Sequence, residues 1–140
     1  MEKYKILPHT ADGKFQAFGQ TMEEAFANAA LATASLMWDW LRIEKKEKHS
    51  VKIRGKDLEQ LLLKFLGEII YLLETKKFLL GLVNEIRIEK KDEKYLLNAL
   101  FVGDKLSDQY EIYGNVKAIT YNEMKIEKND HVTVQVVVDM

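Results

Sequence analysis

Four valines at alternate positions, Val132, Val134, Val136 and Val138, commit the end of this chain to a β-strand, because a period of two sends all four to one face. Chain ends usually fray, so a strand held in a sheet up to its final residues fixes the polar groups that follow it. Here those groups are the carboxylate of Asp139 and the main-chain oxygens of Asp139 and Met140. A second acid, Asp12, stands in His9-Thr10-Ala11-Asp12, where an early strand reaches its turn. Whether the two ends of the chain meet decides what these oxygens can do.

The segments between are patterned clearly. Tyr4 to Leu7 and Lys14 to Gly19 read as a pair of short strands. Thr21 followed by Glu24 forms a capping box, and Met22, Phe26, Ala29, Ala30, Thr33, Met37 and Trp40 then recur at helical spacing. The alanines of this helix permit close approach to whatever it packs on. Residues 43–53 are β-tolerant, with alternation from Ser50 to Arg54 and an end at Gly55. The strongest helix opens near Asp57, where Leu58, Leu61, Leu62, Phe65, Leu66, Ile69, Leu72 and Leu73 keep the spacing for about four turns. Leu63 and Ile70 widen that stripe and predict burial on more than one side.

The second half is β-rich. Strands are predicted at Val83 to Glu89, Tyr95 to Val102, Val116 to Tyr121 and Val132 to Asp139, with a turn at Lys91-Asp92-Glu93 and a surface loop between Gly103 and Gly114. The order ββαβαββββ lacks a repeated βαβ rhythm, and the seven glycines form no phosphate-binding fingerprint. Both observations exclude a doubly wound nucleotide fold. The expected architecture is α+β, a mixed, largely antiparallel sheet with two main helices packed on it, in one domain over residues 1–140.

Composition narrows the chemistry further. The chain has no cysteine, which removes disulfides, thiolate metal sites and cysteine nucleophiles and points to a reducing cytoplasm. Its apolar runs are far shorter than a membrane span, so a soluble protein is expected. With 21 basic and 22 acidic side chains there is no basic excess, and direct nucleic-acid binding is expected to be weak or absent. The clusters Lys45-Lys46-Glu47-Lys48, Lys76-Lys77 and Lys90-Lys91 read as solvated strand ends and turns.

Of the three histidines, His49 and His131 stand in polar surroundings and read as surface residues, whereas His9 is close to Asp12. No nucleophile elbow and no zincin motif is present. If Asp12 and Asp139 faced each other at about 4 Å, their repulsion would be about 4 kcal/mol at an effective dielectric near 20. A proton on one of them, or a hard divalent cation between them with main-chain oxygen and water as further ligands, would offset it. From the residues alone the plainer reading stands first: Asp12 as a turn residue and Asp139 as a solvated terminus.

Four strings taken together change that order. His9-Thr10-Ala11-Asp12, Thr21-Met22-Glu23-Glu24-Ala25-Phe26, Val116-Lys117-Ala118-Ile119-Thr120-Tyr121 and Val138-Asp139-Met140 resemble the archease family, in order and across the whole chain. The resemblance implies a small non-enzymatic protein that activates the RtcB-type RNA-splicing ligase by promoting its guanylylation and multiple turnover. It also implies a divalent-metal site made by Asp12, Asp139 and the main-chain oxygen of Met140, with Ca²⁺ expected and Mg²⁺, Mn²⁺ or Zn²⁺ as alternatives. A chaperone-like action on a tRNA methyltransferase is a further implied partnership. The chain departs from the family pattern at Gly13-Lys14, where an aliphatic residue and glycine are usual, and at Asn122, where histidine is usual. His9 and Asn122 are therefore supporting candidates. The rival reading from another class is a metal-dependent phosphoesterase using the same aspartates with His9 as base.

Overall fold

Both helices lie between two β-sheets. The computed structural model describes residues 1–9 and 12–140, so Thr10 and Ala11 of the first family string lie outside the described residues. The elements are β1 (Tyr4–Leu7), β2 (Gly13–Gly19), α1 (Met22–Ser35), a 3-10 turn (Trp40–Arg42), β3 (Glu47–Gly55), α2 (Leu58–Lys76), β4 (Phe78–Lys91), β5 (Lys94–Lys105), β6 (Ala118–Lys128) and β7 (Val132–Asp139). One sheet has the order β1-β2-β7-β6 and the other β3-β5-β4, and all of these pairings are antiparallel. The α+β class and the expected element order are observed. The single mixed sheet is not: it resolves into two, with no parallel pair among the described strands.

The composition of α1 explains the division. Ala25, Phe26, Ala29, Ala30, Ala32, Thr33 and Ala34 are all fully buried, so the helix is enclosed on every side. A helix without a polar face needs cover on both flanks, which one sheet cannot supply. Accordingly α1 packs on β1, β2 and β7 on one side and on β4 on the other, while α2 reaches from β6 to β3, β4 and β5. Phe65 of α2 joins the layers: its ring stacks on Phe26 at 6.1 Å and tilts against Phe101 of β5 at 5.4 Å. Leu63 and Ile70 are half-buried, at the margins of the widened stripe.

Reciprocal caps start both helices. Thr21 Oγ1 accepts from the Glu24 amide at 3.1 Å and the Glu24 carboxylate accepts from the Gln20 amide at 2.9 Å. Asp57 and Gln60 repeat the device, each bond being 2.8 Å. Helix α1 stops at Ser35, before the apolar spacing runs out at Met37 and Trp40. The reason is Trp38, whose indole N–H donates to the Leu80 carbonyl at 2.9 Å and draws the chain to the edge of β4.

Strand β4 starts five residues before the expected Val83, because the apolar run from Phe78 to Leu80 is buried on both faces and shows no alternation. Strand β5 extends to Lys105, which shortens the loop, and β6 is shifted to begin at Ala118 and continues past Tyr121 to Lys128. The turn at Asp92-Glu93 places both residues at positive φ, 52° and 70°, as a two-residue hairpin matching strand twist requires. No helix of the described residues is long and apolar enough to cross a membrane.

Tyr110 ties the loop after β5 to the body. Its hydroxyl donates to Asp104 Oδ2 at 2.7 Å and accepts from the Glu44 amide at 3.1 Å. The Tyr110 hydrogen bond holds the Asp104 carboxyl below the ordinary aspartate value.

Replacing Ala30 by leucine inserts side-chain volume where neither sheet can retreat, and urea unfolding is expected to show a loss of about 1–3 kcal/mol; Ala27→Leu, at a half-buried position, is expected to cost less. Because the Asp104 value is depressed on folding, its contribution is present above the ordinary aspartate range and is lost as pH falls through the lower folded value. Tyr110→Phe is therefore expected to lower stability at neutral pH and to converge with wild type in strong acid, measured by unfolding across pH.

Candidate acidic site at the ends of β2 and β7

Strand β2 pairs with β7 from Gly19↔Val132 to Gly13↔Val138, so Asp12 and Asp139 are the residues that follow the last pair of this ladder. On the other flank β6 pairs Ala118 with Asp139. The two ends of the chain meet. Alternation sends Phe15, Ala17, Val134, Val136 and Val138 to the helix side, and Lys14, Gln16, Gln135 and Val137 to the outer face. Asp12 and Asp139 continue the outer set, Asp12 partly covered and Asp139 exposed.

Two contacts hold the end of β7. The Asp139 carbonyl accepts from the Lys117 amide at 2.7 Å. Met140 folds inward: a Cβ at position 13 would lie 2.9 Å from Met140 Sδ, 2.9 Å from Val138 Cγ2 and 3.0 Å from Leu36 Cδ1. Glycine at 13 is thus what lets the Met140 side chain seat under the sheet beside Asp139.

A bulge in β6 completes the outer face. From Thr120↔Val137 to Lys125↔Gln135, β6 takes five steps where β7 takes two. The surplus folds across the sheet, where the Gln135 side-chain amide donates to the Glu123 carbonyl at 2.8 Å and Gln16 donates to Gln135 at 3.0 Å. Beneath it Val137 and Gln135 are 1% and 6% exposed, although they point away from the helices. Glu123 adopts φ 54°, which aims its carboxylate at β2. There it accepts from Lys14 Nζ at 2.9 Å and pairs with His9 Nε2 at 3.2 Å. The Lys14 hydrogen bond, followed by that of His9, holds the Glu123 carboxyl below the ordinary glutamate value. The other His9 nitrogen, Nδ1, is 3.8 Å from Asp12 Oδ2, buried, and has no hydrogen-bond partner among the described residues.

The structure therefore gathers His9, Asp12 and Asp139 at one end of one sheet. Asn122 is exposed on the bulge, and its backbone N–H donates to Thr120 Oγ1 at 3.2 Å. The neighbouring Glu123 is the residue sequence reasoning missed, since no glycine marks a bulge there. Lys14, which follows Asp12 and Gly13 in sequence, is committed to Glu123. Among the described residues no group of three or more His, Cys, Asp or Glu side chains is placed to hold a metal ion, so a cation here would draw on main-chain oxygen and water as well. His49 pairs with Glu47 at 3.2 Å, and His131 lies edge-on to Phe18 at 6.3 Å, away from the acids. A cavity of about 500 Å³ lies elsewhere, lined by Trp38, Asp39, Arg42, Tyr110, Glu111 and Tyr113 among others. Its two tyrosine hydroxyls are already donated, to Asp104 and to the Ser35 carbonyl.

A model of the archease protein family matches residues 4–140. Protein archease of Pyrococcus furiosus is 39% identical over 129 residues, covering 91% of this chain and 90% of that protein. Protein archease of Pyrobaculum neutrophilum is 37% identical over 140 residues, covering 98% and 95%. The solution structure of protein 1598 of Methanobacterium thermoautotrophicum superposes with a TM-score of 0.86 at 29% identity, covering 100% of both chains. The crystal structure of an archease and possible chaperone from Thermotoga maritima shares the fold, with a TM-score of 0.60 at 19% identity, covering 97% and 96%.

Because Met140 occupies the space a Cβ at position 13 would need, Gly13→Ala is expected to lower stability by about 1–3 kcal/mol. It is also expected to speed hydrogen exchange of the Lys117 amide, which reports the docking of the β7 end.

Proposed function

The chain belongs to the archease family, and on that premise we propose that it is a non-enzymatic activator of an RtcB-type RNA-splicing ligase, working through a divalent cation held by Asp12, Asp139 and the main-chain oxygen of Met140. The observation that supports this most is the β2–β7 register, whose last pair, Gly13↔Val138, leaves Asp12 and Asp139 as the next residues of the two strands at one end of the sheet. Repulsion between them favours a bound cation, and two carboxylates with a main-chain oxygen and water suit a hard ion such as Ca²⁺. His9 Nδ1, a nitrogen donor beside Asp12, would favour Mn²⁺ or Zn²⁺ instead if it joined the set. Glu123 acts as a positioning residue: it neutralises Lys14 and orients His9, leaving the Asp12 side of the site negative. A site on an outer face, at strand ends, can be presented to the active site of a partner enzyme during guanylylation.

The test is a ligation assay with sub-stoichiometric ligase, together with calorimetric titration of Ca²⁺ and Mn²⁺ into the protein. Wild type is expected to raise turnover, and Asp12→Ala or Asp139→Ala to weaken both ion binding and stimulation by about tenfold or more. Stimulation by both variants equal to wild type would remove the metal from the mechanism. No stimulation by wild type, with protection of a tRNA methyltransferase from aggregation, would favour the chaperone-like role. Phosphoester hydrolysis by the pure protein that is lost in Asp12→Ala would make it an enzyme.

A further inference from the structure

The outer face of the β3-β5-β4 sheet gathers six cations that the sequence scatters over nearly fifty positions. Register and alternation place Lys48, Lys52 and Arg54 of β3, Arg87 and Lys91 of β4, and Lys94 of β5 on that face, and all six are exposed. None of them forms an ion pair among the described residues. Glu85 and Glu89 oppose them there, with Asp104 at the far end of β5. Six of the 21 basic side chains but three of the 22 acidic ones thus lie on one surface, which carries a net positive charge although the whole chain does not.

The cations flank an uncharged midline. Along β5, Leu96, Asn98, Leu100 and Val102 face outward, with Lys52 and Arg87 on either side of Asn98. From Lys48 to Arg54 the basic rim spans about 20 Å. Near its centre is a shallow hollow of about 160 Å³ lined by Ser50, Lys52, Glu85, Asn98 and Leu100 among others.

We propose that this face binds single-stranded RNA, with phosphates along the basic rims and bases on the aliphatic and amide midline. Three features favour a nucleic-acid strand over an acidic peptide. The hollow holds a carboxylate, Glu85, which would repel an acidic side chain but accepts from the amino group of a base. Asn98 and Ser50 supply the donors and acceptors that base edges need. The face is an open three-stranded surface, which suits a flexible strand following its charges better than a rigid duplex. The inference is independent of the cation site, which lies on the other sheet.

The test is fluorescence anisotropy of a labelled oligouridylate of about 12 nucleotides with the full chain at several salt concentrations. Binding is expected to weaken with salt with a log–log slope of about −3, corresponding to about four phosphates neutralised. Lys52→Glu and Arg87→Glu, with Lys52→Gln as a milder variant, are expected to weaken binding about tenfold or more and to flatten the slope. Lys5→Glu and Lys128→Glu, on β1 and β6 of the other sheet, are expected to bind as wild type. Absence of oligouridylate binding, equal loss in both sets of variants, or equal or tighter binding of polyglutamate or of duplex RNA would overturn the proposal. Circular dichroism of each variant separates lost binding from lost folding, and a folded Lys52→Gln with unchanged affinity would also overturn it.

Discussion

The arrangement depends on the enclosure of α1. A helix with alanine at most of its inward positions offers little apolar area per residue, so it contributes by letting two sheets approach rather than by filling a large cavity. That approach sets the separation at which Phe26, Phe65 and Phe101 meet, and it leaves each sheet one free face. Two outer surfaces are left that no helix covers.

On the first surface, register governs the chemistry. A one-residue slip between β2 and β7 would send Asp12 to the opposite face from Asp139, and the buried alternation of Phe15 and Ala17 against Val134 and Val136 prevents such a slip. The β6 bulge adds a second level of control. By laying Glu123 over β2 it pairs that residue with Lys14 and anchors His9 through one nitrogen, while the other has no hydrogen-bond partner among the described residues. The electrostatic character of the acidic end is therefore set from a strand remote in sequence.

Much of this was legible in the residues. Caps at Thr21 and Asp57, the leucine stripe of α2 and the valine alternation of β7 are local signals, and each stands where its spacing put it. Strand patterns alone left open whether Asp12 and Asp139 meet, and only the family resemblance implied it. What could not be read arises from long-range geometry. Splitting into two sheets reflects the burial of α1 on both sides, which an alanine-rich pattern does not distinguish from burial on one. The bulge carries no glycine, so Glu123 was indistinguishable from any exposed acid. Lys48 and Arg87 become neighbours on one surface only through the β3-β5-β4 register, which a count of charges cannot reveal.

Two open sheets leave four strand edges, and unpaired edges invite pairing with another chain. The bulge that positions Glu123 lies on one of them. It breaks the β6 ladder midway, so the edge cannot present a straight row of donors and acceptors to a second molecule. Irregularities at Leu80/Leu82 and Asn84/Arg87 interrupt the β4 edge in the same way, and β1 is only four residues long. The regular edge that remains, β3, carries Lys48, Lys52 and Arg54, which repel the same edge of another copy. The distortion that shapes the acidic site thus also guards the protein against edge-to-edge aggregation, and a variant that straightened β6 would lose both properties together.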